Sequence, residues 1–204
     1  IHPQRITPVV NTGADTGLHG PSISPDLDTS VYTLAGAIDP DRGWGLIDET
    51  WRAMGALDRY VTVRPTGSTA APQWFNLGDQ DLATHFYRTA RLAEGATLTA
   101  VTNEIREAWG VEIAVVPMSD DRCSTLVTVT DDPDANGERP EVSFQDYFVR
   151  LRHAVPVTAV RFDGTASLSA AAHEALAGAA AIVIAPSNPI VSIGPLLALG
   201  GLPE

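Results

Sequence analysis

Three carboxylates, Asp15, Asp26 and Asp28, lie within fourteen residues, beside Gly13, Gly17 and Gly20. Such a set can hold a hard divalent cation, because Mg²⁺ takes one or two carboxylates together with phosphate oxygens and water. The structural alternative is that Asp26 and Asp28 are ordinary helix-start acids at the positive end of a helix dipole. A second set, Asp81, His85 and Arg88, is spaced i, i+4 and i+7, which puts a carboxylate, an imidazole and a guanidinium on one helix face. A salt-bridged exposed face has the same spacing, although Leu82 and Phe86 lie between these residues and draw the set toward a core. Ser119-Asp120-Asp121-Arg122 forms a third set, and Ser187-Asn188-Pro189 with Ser192-Ile193-Gly194-Pro195 a fourth. Their hydroxyl and amide groups suit an anionic or polar ligand ahead of a helix, or equally caps and tight turns.

Other chemistries are absent from the pattern. There is no Gly-x-Ser-x-Gly elbow, and Cys123 has no histidine near it in sequence. His2, His19, His153 and His173 lack the spacing of zinc ligands. All 13 Lys-plus-Arg residues are Arg, so a Walker lysine, and with it P-loop phosphoryl transfer, is excluded for this chain.

The elements that must position these groups alternate between strand and helix. Ile6 to Val10 reads as a buried strand running into the turn Asn11-Thr12-Gly13, followed by loop from Gly13 to Pro25. Ser24-Pro25-Asp26 starts a helix through Ala35, with Ser24 as its cap. Helices are expected over Asp48 to Tyr60, over Asp79 to about Glu94, and from the capping Thr97 to Trp109, stopped by Gly110. Pro65 to Pro72 reads as a surface loop. Strands are expected at Val111 to Val116 and Ser124 to Thr130, the latter closed by a polar turn from Asp131 to Pro140. Val142 to Val149 and Val157 to Phe162 read as strands or partly helical connections. Ala170 to Ala180 forms an alanine-rich helix, Ala181 to Ala185 a short apolar strand, and Pro186 to Pro189 a loop leading into Ile193 to Leu199. This order implies a parallel, layered sheet, with ligands at the carboxyl ends of its strands.

The bulk properties agree with one sizeable α/β domain. The chain has 204 residues, 44% of them apolar and 19% charged, a mean hydropathy near zero and a net charge of −12. That charge argues against nucleic acid, which requires a basic face, but not against a small phosphorylated ligand held locally. No apolar run approaches the roughly 20 residues of a membrane helix. The single cysteine makes no internal disulfide, so a soluble, cytoplasmic protein is expected.

The four constellations occur together, in order, in one known family. Asn11-Thr12-Gly13-Ala14-Asp15, Pro25 through Leu34, Asp39-Pro40-Asp41-Arg42-Gly43-Trp44-Gly45, Leu77 through His85, Pro117 through Asp121, Phe144-Gln145-Asp146 and Ala185 through Pro195 resemble the CofD/FbiA family. The resemblance covers essentially the whole chain. It implies an α/β, Rossmann-like three-layer sandwich with a mostly parallel sheet, carrying a helical substrate-site insertion over about 26–110. It also implies the transfer of phosphoenolpyruvate or 2-phospho-L-lactate from a guanosine-diphospho donor to a hydroxyl of the deazaflavin Fo, with release of GMP, in coenzyme F420 biosynthesis. Mg²⁺ is the implied cofactor, and a homodimer is implied by the family's habit of dimerising.

Carried over by resemblance, Asp15, Asp26 and Asp28 stand at the metal, with Asp26 and Asp28 as catalytic acids that orient or deprotonate the attacking hydroxyl. Substrate contacts are implied for Asn11, Thr29, Asp79, Gln80, Thr84, His85, Arg88, Ser119, Asp120, Ser187, Asn188 and Ser192, with Arg88 as the phosphate contact from its helix. Trp44, Trp74 and Tyr32 are aromatic candidates to stack on planar Fo. The chain departs from the family pattern at Ala14, where a second carboxylate is usual, and at Gln80, where Arg or Lys is usual. The family's glycine-rich first turn and its later part have no counterpart in these 204 residues, which marks a fragment or a shortened homologue. Two alternatives follow: a nucleotide-sugar-binding regulator of the broader CofD-like group, or an inactive relative that keeps the motifs.

Overall fold

The computed structural model describes residues 2, 5–130 and 140–202. The expected polar turn at 131–139 lies outside the described residues. Strand β1 (Val9–Val10) pairs in parallel with β4 (Val116–Pro117), with Val9 opposite Val116 and Val10 opposite Pro117. Adjacent residues of a strand face opposite ways, so this short pair is covered on both sides. Val10 packs with Leu27, Val31, Tyr32, Val101, Ile105 and Val115, while Val9 packs with Met118, Cys123, Leu196 and Leu199.

Between β1 and β4 lie a two-stranded hairpin, β2 (Thr16–Gly17) with β3 (Ser22–Ile23), and helices α1 (Pro25–Leu34), α2 (Arg52–Val61), α3 (Asp81–Ala93) and α4 (Leu98–Ala108). The local chemistry explains their ends. Pro25 sits in the first turn of α1 with Asp26 and Asp28, where its missing N–H costs nothing. Thr97 Oγ1 accepts from Ala100 N at 3.2 Å and starts α4, and Gly110, at φ +68°, takes the left-handed conformation just past the end of that helix. Leu27, Val31 and Tyr32 on α1 and Leu98, Val101 and Ile105 on α4 recur at helical spacing and are buried.

The second half of the chain builds a three-stranded antiparallel sheet in the order β6 (Glu141–Ser143), β5 (Ser124–Val129), β7 (Val157–Asp163). On β5, Thr125, Val127 and Val129 are buried in strict alternation with half-buried residues, as a sheet with one covered face requires. A π-helical turn (Asp146–Arg150) follows β6, and α5 (Ala170–Ala177) starts on Ser169, whose Oγ accepts from Ala172 N at 3.0 Å. A second π-helical turn (Pro189–Ile193) runs into the short α6 (Gly194–Leu197). No helix among the described residues is long and apolar enough to cross a membrane.

The α/β class expected from the sequence is the class observed, with parallel pairing at β1 and β4 and antiparallel pairing around β5. Three expectations need correction. The loop from Gly13 to Pro25 contains the β2–β3 hairpin. The strands expected over Ile6 to Val10 and Val111 to Val116 shrink to two residues each, because only there do the two backbones meet. Ala181 to Ala185 is not a strand: it finds no partner and is exposed.

Candidate functional site

The loop after β1 is held from three directions. Asn11 Oδ1 accepts from Gly13 N at 2.9 Å, and Asn11 Nδ2 donates to Asp26 Oδ2 at 2.8 Å and to the Val191 carbonyl at 3.5 Å. Thr125 N donates to the Gly13 carbonyl at 2.8 Å, and Gln145 Nε2 to the Ala14 carbonyl at 3.3 Å. Gly13 is required by contact, since a Cβ there would stand 2.9 Å from both Pro195 Cβ and Thr125 Oγ1. The loop, the start of α1, β5 and the Pro189–Ile193 turn thus converge on one spot.

Asp15 is half-buried in this convergence. Its Oδ2 accepts from Ser24 Oγ at 2.7 Å, while its Oδ1 is buried with no hydrogen-bond partner. Burial pushes its carboxyl up to about 8, against the Ser24 hydrogen bond and the Arg88 charge. Burial also raises Asp26, opposed by the Asn11 amide. Ser24 does not cap α1, because its hydroxyl is spent on Asp15.

On α3 the polar face expected from the sequence exists, turned inward. Arg88, 1% exposed, grips Asp28, Nη1 donating to Asp28 Oδ2 at 3.1 Å and Nη2 to Oδ1, and Nη1 also donates to the Ser22 carbonyl at 3.3 Å. His85 Nδ1 lies 3.2 Å from Arg88 Nη1, and its Nε2 lies 3.1 Å from Asp81 Oδ2. Since Arg can only donate, Nδ1 accepts and Nε2–H donates to Asp81. The Tyr32 hydroxyl donates to Asp81 Oδ1 at 2.6 Å and stands 2.9 Å from the Thr84 hydroxyl. Burial would raise Asp81, but the His85 and Tyr32 hydrogen bonds and the Arg88 charge outweigh it and hold the carboxyl below its usual range. Burial, with Asp28 and Asp81 nearby, pushes the Tyr32 hydroxyl far up.

The start of α3 depends on Glu49, for which the sequence alone implies no role. Glu49 accepts from Gln80 N at 2.8 Å and Asp81 N at 3.1 Å, capping α3. Asp79 accepts from the Thr50 hydroxyl at 2.5 Å, Arg52 N at 3.0 Å and Ala53 N at 2.9 Å, capping α2. The two helices therefore cap each other across Gly78, where any Cβ would overlap the Glu49 side chain. The readable signal was two acid-bearing turns, Asp48-Glu49-Thr50 and Gly78-Asp79, each just ahead of a helix.

Several expected contacts are employed otherwise. Arg88, expected at a phosphate, and Asp28, expected at the metal and the hydroxyl, are paired with each other in a buried ion pair. Asp79 is a cap. Ser119 is wholly buried and donates to the Ser167 carbonyl at 2.6 Å, and Asp120 accepts from Thr99 N at 2.7 Å at the start of α4. Asn188 caps its own turn through Ile190 N and Val191 N, and Ser187 is exposed beside it. Gln80 is exposed and donates to the Asp48 carbonyl at 3.3 Å. Thr29 and Ser192 are half-buried, Thr29 in the first half of α1 and Ser192 in the Pro189–Ile193 turn whose Val191 carbonyl meets Asn11. Tyr32 is a core residue packed edge-on against Trp109, so it offers no stacking face, and Trp44 lies 5.4 Å from Arg42.

Two acid clusters could hold a cation. Asp28, Asp81 and His85 have ligand atoms within 4.8 Å of one another, but the Arg88 guanidinium already supplies their positive charge. Asp15 and Asp26 differ: both carboxyls are raised by burial, no cation among the described residues pairs with either directly, and Asp15 Oδ1 is orphaned. Oxygen-only donors in this state suit Mg²⁺ completed by phosphate oxygens and water. Ala14, buried at 5% exposure, contributes no ligand.

The model of the 2-phospho-L-lactate transferase CofD matches residues 2–204. Phosphoenolpyruvate transferases of Mycobacterium tuberculosis and Mycobacterium bovis are 45% identical over 200 residues, covering 97% of this chain and 57% of their own. That of Mycobacterium avium is 43% identical over 200 residues. The chain thus spans a little over half the length of these relatives. A solved structure of a UPF0052-family protein from Bacillus halodurans matches with a TM-score of 0.54 at 14% identity, covering 97% of this chain and 56% of that one, a likeness of fold.

Proposed function

We propose, from the premise that this chain belongs to the CofD family, that it carries the metal- and acceptor-binding part of a transferase of coenzyme F420 biosynthesis. The reaction moves phosphoenolpyruvate or 2-phospho-L-lactate from a guanosine-diphospho donor to a hydroxyl of Fo. The Fo oxygen bonds to the phosphorus that bears the organic acid, the bond from that phosphorus to GMP breaks, and the hydroxyl proton passes to a carboxylate. Identity of 45% to phosphoenolpyruvate transferases favours the enolpyruvyl donor.

The observation that carries this reading is the pair Asp15 and Asp26 at the carboxyl end of β1, one with a buried, unpartnered oxygen. These two residues would hold Mg²⁺, which when bound neutralises charge on the donor diphosphate. Asp26, half-buried and with a raised carboxyl, is the better placed acceptor for the Fo proton. Asn11 orients Asp26, and Ser24 orients Asp15. Asp28 acts at one remove, through Arg88 and His85, by fixing α3 against the hairpin.

The test is to incubate the chain with Fo, Mg²⁺ and either guanosine-diphospho donor and to separate the products by chromatography. GMP formed in step with a phosphorylated deazaflavin supports the proposal. GMP formed equally without Fo, or donor left intact by folded chain that also fails to bind Fo, overturns it.

A further inference from the structure

The loop that carries Asp15 is tied down through three consecutive carbonyls. That of Thr12 accepts from Asp15 N at 3.1 Å, within the loop, and that of Gly13 accepts from Thr125 N at 2.8 Å, on β5. Both donors are main-chain groups, which almost any residue at those positions would supply. The Ala14 carbonyl differs, because its donor is a side chain: Gln145 Nε2, at 3.3 Å and 131 residues away in sequence. Ala14 and Gln145 are 5% and 8% exposed, so little water reaches the pair to take the place of the amide.

The Ala14 carbonyl and the Asp15 N–H belong to one rigid peptide plane. Gln145 holds one end of that plane and the Thr12 carbonyl holds the other, which fixes the direction in which the Asp15 side chain leaves the loop. We propose that Gln145 is a positioning residue for the Asp15 carboxylate and, through it, for the metal; this rests on the reading of Asp15 and Asp26 as the Mg²⁺ ligands. The sheet delivers the side chain to its place. Ser143 pairs with Leu126 in the β5–β6 ladder, and Thr125 and Gln145 lie just past that pair, at the same end of the sheet. Two neighbouring donors therefore meet two consecutive carbonyls. The residue type fits the task as well. An amide donates without charge, whereas Lys or Arg would bring a competing cation beside Asp15, and an ionised carboxylate has no hydrogen to give.

Binding of Mn²⁺, which takes the same oxygen ligands as Mg²⁺, tests the proposal, measured from the loss of the free ion's paramagnetic resonance signal. Gln145→Met keeps the length of the side chain and removes the donor. Gln145→Asn keeps the amide on a stem one methylene too short, and carries the test if the first variant does not fold. Loss of a hydrogen bond that orients a metal ligand weakens metal binding about 10–100-fold, so each variant should bind at least about tenfold more weakly than the original. Leu151→Ala separates positioning from stability. It opens a cavity in the apolar cluster of Val127, Val129 and Leu151 under the same sheet and removes no hydrogen bond. At a temperature where melting curves show every variant folded, it should bind Mn²⁺ as the original does. A Gln145 variant that binds as tightly as the original, or a Leu151→Ala variant that loses as much as they do, overturns the proposal and leaves Asp15 and Asp26 as the metal ligands. An original chain that binds no Mn²⁺ overturns both.

Discussion

Replacing Arg88 by Met removes the guanidinium that pairs with the buried Asp28. Arg88 and Asp28 are 1% and 4% exposed, and the guanidinium also holds the Ser22 carbonyl and His85 Nδ1. Asp28 would be left without a charged partner among the described residues, since His85 Nδ1, at 3.6 Å, is an acceptor in this arrangement. Removing one member of a buried ion pair costs about 3–5 kcal/mol, because the other charge stays desolvated and unpaired. At about 2–4 °C per kcal/mol for a chain of this size, the melting temperature should fall by roughly 6–20 °C, followed by circular dichroism on heating. Asp28→Leu combined with Arg88→Met removes both charges and should recover most of the loss, a strong non-additivity. A single variant melting within about 2 °C of the original, or a double variant as unstable as the sum of both singles, would refute the view of this pair as a buried structural lock.

The Asp15 carboxyl, pushed up to about 8 from 3.8, sets a pH dependence. Its contribution to metal-free stability is complete below about pH 4 and is lost as the pH rises toward 8, because the unfolded chain ionises first. Mg²⁺ must displace that proton, so the rise in melting temperature on adding Mg²⁺ should grow from pH 6 to pH 9. Asp15→Asn should melt higher than the original at pH 8 without metal and gain nothing from Mg²⁺; an unchanged Mg²⁺ response would remove Asp15 from the metal site. Gly78→Ala should displace Glu49 from the start of α3 and cost about 1–3 kcal/mol in a denaturant titration. A cost near zero would mean that the two helices do not cap each other across this glycine.

Much of the scaffold was legible because its signals are local. Ser24-Pro25 for α1, Thr97 and Gly110 around α4, and the i, i+4, i+7 set on α3 each announce themselves within a few residues, and each is found in place. What could not be read is where each polar group finds its partner. Ser24 has the form of a cap but serves Asp15, and Arg88 has the form of a phosphate contact but lies inside, across from Asp28, sixty residues away in sequence. The flanking apolar residues gave half the hint: Leu82 is buried while Phe86 is 57% exposed. Ala181 to Ala185 has the composition of a strand, but a strand exists only where another backbone accepts it, and none among the described residues does.

Binding of the deazaflavin acceptor beside a metal held by Asp15 and Asp26 is tested most directly by a fluorescence titration of Fo into the 204-residue chain, with and without Mg²⁺ and GDP. The expected result is saturable binding, tightened by Mg²⁺, that weakens at least tenfold in Asp26→Asn while the melting curve of that variant shows it folded. Folded protein that binds no Fo, or binds it equally well without Asp26, would contradict it.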